Sequence, residues 1–197
     1  MKRAVRSHPA RILLYGFGPY RQFRDNITAR IINSLPRQAG LRKIVFPVRF
    51  SRSQFVDALN RHKPDIVLGL GQSSRRRIEV ESRARNRQRA RKNSKPHPIF
   101  TAGPKSLATT LAIQTGRWAG KSNNAGDYVC NYSMYVMLAE IARRDMRVRF
   151  GFIHIPYDYD DQSAHRFVLS VLKQHSGRAA QRSVKRLNGR KLSRQPS

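Results

Sequence analysis

The amino-acid sequence predicts a single α/β domain of three layers, in which helices flank both faces of a largely parallel central sheet. One observation behind this prediction is a series of short, continuous apolar runs, which are typical of buried strands. The other is that these runs alternate with segments whose apolar residues recur at helical spacing. Strands separated by helices are typical of a parallel sheet, because parallel strands need crossover connections.

Each element has its own local signal along the chain. The first apolar run is closed by Gly16, and the third opens into Gly71. Pro36 and Pro64 stop two helical segments, because proline lacks the amide proton that a helix interior requires. We expect strands over residues 12–15, 43–46, 65–70 and 148–155, and helices over residues 27–35, 55–59, 106–115, 130–144 and 164–174.

Composition and charge limit the class of protein. The chain has 197 residues, 39% hydrophobic and 26% charged, which suits one well-cored domain. Its 40 Lys and Arg residues against 11 Asp and Glu give a net charge of +29, so incidental binding to polyanions is expected. No apolar run reaches the roughly 18 residues that a membrane helix needs, so we expect no membrane partner. The single cysteine excludes an internal disulfide, and we predict a cytoplasmic protein.

The basic residues are unevenly distributed. We expect residues 1–10 to form a loose basic leader, residues 11–176 the folded domain, and residues 177–197 a disordered basic tail. Within the domain, residues 75–95 carry ten basic residues and two glutamates. Together with the tail, this run supports the alternative of a nucleic-acid-binding protein. No aromatic side chain interleaves with it, so platforms for base stacking are missing there.

Two apparent motifs do not support a cofactor or a metal. Gly16-Phe-Gly18 follows a predicted strand, but Arg21 stands where a dinucleotide fingerprint has its third glycine. His154 precedes three acids that cluster in a loop after Pro156, where solvated turn residues are the better interpretation: Asp158, Asp160 and Asp161. We therefore predict neither a cofactor nor a metal site.

A third constellation favours nucleophilic catalysis. A lone cysteine such as Cys130 is most often a small buried apolar residue. It stands, however, at the start of a predicted helix, where the helix end favours a thiolate and offers N–H groups to an oxyanion. His154 lies at the carboxyl end of a predicted strand, the edge at which active sites of open α/β sheets form. Together with the carboxylate of Glu81, these residues suggest a Cys–His–acid site.

Four motifs occur in order along the chain: Gly16-Phe-Gly-Pro-Tyr20, Lys63-Pro-Asp-Ile-Val-Leu-Gly-Leu-Gly-Gln72, Ala125-Gly-Asp-Tyr-Val-Cys-Asn-Tyr132 and Gly151-Phe-Ile-His-Ile-Pro156. This set resembles the pyrrolidone-carboxylate peptidases (pyroglutamyl peptidase I), and the resemblance covers residues 11–172. It implies a cysteine peptidase that removes N-terminal pyroglutamate from peptides through a thioester, with no cofactor. It also allows a homo-oligomeric state.

The resemblance implies roles for individual residues. Cys130 corresponds to the nucleophile, His154 to the base and Glu81 to the acid. The substrate pocket corresponds to Phe17, Tyr20 and Gln72, although core packing explains Phe17 equally well. A neutral lactam needs apolar walls and a few amide-type hydrogen bonds rather than a charged clamp. By count, the arginine near the oxyanion is Arg91, with Arg85, Arg87 and Arg89 as alternatives.

The chain departs from the family pattern around the pocket. Tyr20 stands where phenylalanine is usual, and Ser-Ser-Arg-Arg-Arg follows Gln72 where the family has small residues and glycine. That stretch is one residue short, and the span after Asn86 is compressed and rich in arginine. These departures spare the three catalytic candidates. They leave open the alternative of a catalytically altered or inactive member that binds nucleic acid.

Overall fold

A computed structural model describes residues 9–20, 23–89, 91 and 93–176 of the chain. Within these residues the main sheet has six strands in the order β2-β1-β3-β8-β4-β7. Its strands are β1 (Ile12–Phe17), β2 (Leu41–Phe46), β3 (Ile66–Ser73), β4 (Ile78–Glu81), β7 (Ala119–Ser122) and β8 (Arg149–Pro156). A second sheet pairs β5 (Arg83–Arg85) with β6 (Ser106–Ala108). The helices are α1 (Ile27–Ser34), α2 (Arg52–His62), α3 (Val129–Arg143) and α4 (Asp161–Ser176).

Alternating side chains on the central strands build the three predicted layers. On β1, Leu13 and Tyr15 pack with α2 and α3 on one face, whereas Ile12 and Leu14 pack with α1 and α4 on the other. Strands β3 and β8 divide their apolar side chains in the same way. Each large apolar side chain buried in this manner contributes about 1.5–3 kcal/mol relative to exposure. The predicted α/β class with helices on both faces is confirmed.

The sheet is largely parallel, as predicted, but it changes direction at β4. Strands β2, β1, β3 and β8 run parallel, and β4 then pairs with β8 in the antiparallel sense. The parallel register places Gly71 beside His154, and the antiparallel register places Glu81 beside Phe152. Because β4 runs antiparallel to β8, its first residues lie beside the carboxyl ends of β3 and β8: Glu79 pairs with His154, and Glu81 with Phe152.

The prediction of a helix over residues 106–115 is wrong. Residues 106–108 form β6, and the following residues bond to the sheet instead of to one another. The Thr109 amide donates to the carbonyl oxygen of Ser82 at 2.9 Å, and the Leu111 amide donates to that of Phe150 at 2.9 Å. Partners on neighbouring strands satisfy this backbone, while consecutive threonines have low helix propensity.

The ends of the chain lie mostly outside the described residues. This applies to the predicted tail and to all of the predicted leader except Pro9 and Ala10. Ala10 is buried with Ile12 in the core, so packing extends to that residue. Among the described residues, no helix has the length and apolarity needed to cross a membrane.

Candidate active site

Cys130 is the second residue of α3. The helix begins at Val129 after an extended Tyr128, and Gly126 turns the preceding chain with φ +81°. A positive φ of this kind suits glycine, which has no Cβ to clash with the backbone. First-turn N–H groups have no partner within their own helix. They therefore provide donors beside the sulfur of Cys130.

A buried chain of hydroxyl groups fixes this helix end to the sheet. The Ser133 hydroxyl donates to the carbonyl oxygen of Cys130 at 2.8 Å, and the Tyr15 hydroxyl lies 3.0 Å from the same Ser133 oxygen. Burial raises the pKa of Tyr15, so its hydroxyl stays protonated. The position of Cys130 is thus set by β1 as well as by its own helix.

His154 and Glu81 form a buried pair next to this helix. Nδ1 of His154 lies 2.7 Å from Oε1 of Glu81. His154 is 4% exposed and Glu81 is 0% exposed, so water does not screen their interaction. Because Nδ1 faces the carboxylate, Nε2 is the nitrogen left for Cys130. This is the orientation that a carboxylate imposes on a general base.

The surroundings of Gly71 show that the sulfur of Cys130 and the imidazole of His154 lie against the same point of β3. A Cβ at Gly71 would lie 2.8 Å from Sγ of Cys130 and 2.8 Å from Cδ2 of His154. Glycine on β3 is what allows both groups to close over the same backbone position. The structure therefore brings together Cys130, His154 and Glu81 from α3, β8 and β4.

Electrostatics favour an ionised site. Burial alone lowers the pKa of His154, but hydrogen bonds and negative charge from Cys130 and Glu81 outweigh it and raise that pKa to about 9. Burial alone raises the pKa of Glu81, whereas hydrogen bonds from His154, Ser122 and Arg75 hold it below its usual value. Near neutral pH, Glu81 is a carboxylate and His154 an imidazolium beside the sulfur of Cys130.

Arg75 is a site residue that the sequence analysis missed. Its Nη1 lies 3.0 Å from Oε1 of Glu81 and 3.0 Å from Oγ of Ser122. It also forms an ion pair with Glu79. The only signal in the sequence is the basic run after Gln72, which departs from the family pattern and supports the nucleic-acid-binding alternative.

A cavity of about 480 Å³ opens beside Cys130. The predicted pocket residues Phe17, Tyr20, Gln72 and Arg91 all line it. Arg89, an alternative for the oxyanion arginine, lines the cavity too, and the other lining residues include aromatic and aliphatic walls that the sequence analysis did not indicate: Phe23, Asn26, Val48, Asp127, Tyr128 and Val129. Tyr128 and Val129 could have been found from the sequence, since they directly precede Cys130.

The predicted pocket residues also make different contacts outside the cavity. Phe17 is 2% exposed and packs edge-on against Tyr15 and Phe55, so it both fills the core and lines the cavity. Oε1 of Gln72 accepts from the Ile27 amide at 3.1 Å, which fixes its side chain at the start of α1. The Tyr20 hydroxyl bonds that of Tyr128, so its extra hydroxyl finds a partner.

The four arginines that were candidates for the oxyanion position divide into two pairs. Arg89 and Arg91 line the cavity, and Nε of Arg89 donates to Asp127 at 2.9 Å. Arg85 and Arg87 instead donate to Asn123 and Asn124, in the chain that leads to α3. Geometry therefore narrows the choice to Arg89 and Arg91.

Two of the three acids that follow β8 form contacts within the fold. Asp160 accepts from the Ser163 amide at 2.8 Å at the start of α4, and Asp161 pairs with Arg30 of α1. In the part of the chain that the structure describes, no group of three or more His, Cys, Asp or Glu residues could hold a metal ion.

An α/β domain with a cysteine at a helix N-terminus beside a buried His–Glu pair has the architecture of a cysteine peptidase. The family model for pyroglutamyl peptidase matches residues 10–167, so this chain belongs to the pyroglutamyl peptidase family. The resemblance found in the four motifs is confirmed. Hydrolase activity of the thiol-peptidase class follows from this membership.

Individual relatives agree with this assignment. The pyrrolidone-carboxylate peptidase of Clostridium botulinum is 34% identical over 167 residues, which is 75% of this chain and 78% of the relative. That of Bacillus amyloliquefaciens is 32% identical over 190 residues, covering 86% of this chain and 88% of the relative.

Solved structures show the same fold. A mutant pyrrolidone carboxyl peptidase from Pyrococcus furiosus matches with a TM-score of 0.75 and 26% identity, covering 83% of this chain and 97% of that one. Pyroglutamyl peptidase I from Bacillus amyloliquefaciens also has a TM-score of 0.75 and 26% identity, with coverage of 87% and 97%.

Proposed function

We propose that this chain hydrolyses the bond after an N-terminal pyroglutamyl residue, with Cys130 as nucleophile, His154 as general base and acid, and Glu81 as its orienting carboxylate. One observation carries the proposal above the others. The Cys130 sulfur and the His154 imidazole converge on Gly71, while Glu81 holds the far nitrogen of that imidazole at 2.7 Å. Family membership supports the reaction class.

The reaction follows from this geometry. The sulfur of Cys130 attacks the pyroglutamyl carbonyl carbon, and the thiol proton resides on Nε2 of His154. The tetrahedral intermediate collapses as the imidazolium gives that proton to the departing amine, which leaves a thioester and the shortened peptide. Water, deprotonated by His154, then attacks the thioester and releases pyroglutamate and the thiol. These steps use protein side chains and water alone.

The oxyanion is proposed to lie at the start of α3. The N–H groups of the first turn, including that of Cys130, point toward the end of the helix that faces the cavity. The positive end of the helix dipole adds to their effect. Arg91 on the cavity wall is the proposed cationic partner, since Arg89 already pairs with Asp127. Donors fixed before reaction stabilise developing charge without reorganisation.

The cavity fits a neutral lactam ring. Phe17, Tyr20, Val48 and Tyr128 provide apolar walls, and Gln72 adds an amide whose carbonyl is already fixed by Ile27. Its NH₂ group is therefore the part of Gln72 that can donate to the lactam carbonyl. Apolar walls with a few fixed polar groups are the usual design of small-molecule pockets.

The nucleic-acid-binding alternative is not favoured. Arg75, Arg85, Arg87 and Arg89, from the basic run on which it depended, all donate to groups within the chain. An arginine held in this way is a poorer phosphate ligand, because phosphate contacts need accessible cations. A cytoplasmic location and a homo-oligomeric state stay predictions from the sequence.

The test compares pyroglutamyl-aminomethylcoumarin with alanyl-aminomethylcoumarin. We expect release of the fluorophore from the pyroglutamyl substrate alone, and none from the Cys130→Ala variant. Because Cys130 is the only cysteine, one equivalent of iodoacetamide should label one site and abolish turnover. Alkylation that occurs only after denaturation, together with no turnover, would contradict the proposal.

A further inference from the structure

Four arginines of the basic run converge on the chain that leads to the nucleophile. We name residues 122–127, which run from the last residue of β7 towards α3, the nucleophile loop. Arg87 donates to Oδ1 of Asn124 at 3.2 Å, Arg85 to the carbonyl oxygen of Asn123 at 3.4 Å, and Arg89 to Asp127 at 2.9 Å. Arg75 donates to the carbonyl oxygen of Asn124. The basic run thus braces the loop that leads into α3 and so to Cys130.

Arg75 differs from the other three because it also contacts the catalytic carboxylate. Through Nη1 it reaches Oε1 of Glu81 and Oγ of Ser122, each at 3.0 Å, while Nη2 bonds Asn124. One planar guanidinium therefore spans the acid and two residues of the nucleophile loop. Guanidinium suits this task because its donors form a rigid fork, whereas a lysine ammonium is a point charge.

We propose that Arg75 is a positioning residue that couples Glu81 to the nucleophile loop and so sets the placement of the His154–Glu81 pair relative to Cys130. This inference rests on the proposed function of the site. It assigns a role to a residue that touches neither substrate nor reacting atom and acts through Glu81 and the loop. Without Arg75, Glu81 would keep its hydrogen bond with Ser122 and the backbone pairing of β4 with β7, but it would lose the link that Arg75 makes onward to Asn124.

The same contacts make Arg75 an electrostatic partner of His154. Oε1 of Glu81 accepts from Nδ1 of His154 at 2.7 Å and from Arg75 at 3.0 Å, so the two cations share one oxygen. Two further titratable groups belong to this cluster: Cys130 of α3, which bonds His154, and Glu79 of β4, which pairs with Arg75. Tyr15 of β1 lies beside Cys130, and Lys121 of β7 lines the surface cavity next to Arg75. Arg75 partly neutralises the negative charges of Glu79 and Glu81. If the Arg75 cation is removed, both charges are left to stabilise the imidazolium of His154. The pKa of His154 should then rise further.

Two substitutions of Arg75 separate position from charge. Arg75→Gln should lower kcat about tenfold, the scale of a small misplacement of reacting groups, and move the alkaline limb of the kcat/KM profile to higher pH. Arg75→Lys keeps the cation without the fork. It should leave the alkaline limb near its wild-type position while kcat stays below wild type.

Two other arginines of the basic run provide controls for the loss of charge and for the loss of a contact with the loop. Arg76→Gln removes the same charge from the adjacent exposed residue and should change neither kcat nor the pH profile. Arg87→Gln removes a brace from the nucleophile loop without touching Glu81. It should lower kcat modestly and leave the alkaline limb in place, which separates the loop from the acid.

A readout without substrate keeps this proposal distinct from the proposed function. NMR titration of labelled histidines follows His154 directly, with its signal identified by its loss in His154→Gln. A higher titration midpoint in Arg75→Gln supports the proposal even if pyroglutamyl substrates are not turned over. An unchanged midpoint together with wild-type kcat in Arg75→Gln overturns it. If Arg75→Gln does not fold, the test rests on Arg75→Lys. A wild-type kcat in Arg75→Lys would overturn the positioning role.

Discussion

At the residue scale, Gly71 shows how closely the reacting groups are packed. Its missing Cβ would meet Sγ of Cys130, Cδ2 of His154 and Cε1 of Phe152, each at 2.8 Å. Carbon atoms do not approach one another or sulfur so closely without displacing a neighbour. The neighbours here are the nucleophile and the base, so a methyl group at this point would push apart the two atoms that must exchange a proton.

Gly71→Ala should therefore impair catalysis far more than folding. We expect kcat/KM to fall by at least about 100-fold, because misplacement by about 1 Å has that effect. The free energy of unfolding should fall by only about 1–3 kcal/mol, the usual result of overpacking. Gly18→Ala is the control, since a Cβ there meets nothing nearer than Val45 at 3.7 Å. Equal losses of activity in the two variants would contradict this interpretation.

At the scale of elements, the site depends on how α3 is joined to the chain around β5. Asn131 follows the nucleophile and is 0% exposed. Its Oδ1 accepts from the Arg85 amide at 2.8 Å, and its Nδ2 donates to the carbonyl oxygens of Arg85 and Arg87 at 2.8 Å each. One side chain thus fixes the backbone from which Arg85 and Arg87 reach the nucleophile loop.

Asn131→Ala should weaken this joint and the activity with it. Loss of three buried hydrogen bonds should lower the free energy of unfolding by about 3 kcal/mol, and kcat should fall because the nucleophile loop loses its support. Urea unfolding and steady-state kinetics measure the two effects. Asn123→Ala removes an exposed amide nearby and should cost less than about 0.5 kcal/mol. A fully active, equally stable Asn131→Ala would show that the joint is dispensable.

The same scale explains which elements the sequence could predict. Strands β1, β3 and β8 and the helices carry their signals locally, as apolar runs or apolar residues at helical spacing. Strand β7 has the sequence Ala-Gly-Lys-Ser and is a strand because β4 pairs with it. Short, polar edge strands of this kind depend on tertiary pairing, which local propensity does not contain.

The candidate site shows the same division. Cys130 and His154 are predictable from a helix start and a strand end, and Glu81 from the family pattern. Arg75 is not predictable, because a basic run does not reveal which of its side chains the fold turns inward. The kinked path from Gln72 through Arg75 to Glu81 decides that, and it depends on the pairing of β4 with β8.

At the scale of the whole molecule, most of the few acidic residues form ion pairs with basic residues, and some of these pairs join two helices. In the part of the chain that the structure describes, seven of the 11 form ion pairs: Asp25, Asp65, Glu79, Glu81, Asp127, Glu140 and Asp161. Glu140 of α3 binds Arg52 of α2, and Asp161 of α4 binds Arg30 of α1, so these bridges join neighbouring helices on each face. Exposed pairs contribute little each, whereas the Glu81–His154 pair is buried, so water screens it least.

That pair should give the stability of the protein a characteristic pH dependence. In the folded protein the pKa of His154 is about 9, above its ordinary value of 6.5, so folding favours the protonated form. This contribution is complete below pH 6.5 and is lost as the pH rises toward 9. The pKa of Glu81 is instead held below its ordinary 4.5, so its contribution is present above pH 4.5 and is lost as the pH falls. Both contributions are therefore present together between about pH 4.5 and 6.5.

Urea unfolding of the wild type and of His154→Gln, measured from pH 5 to pH 9, isolates this effect as a difference between two curves. The wild type should lose stability relative to the variant above pH 6.5, by on the order of 3 kcal/mol at pH 9, because each pKa unit corresponds to about 1.4 kcal/mol. His97→Gln removes an exposed histidine and should run parallel to the wild type throughout. Parallel curves for the wild type and His154→Gln would instead mean that the imidazolium beside Cys130 does not form. The proton available to the leaving amine would then have to come from another group.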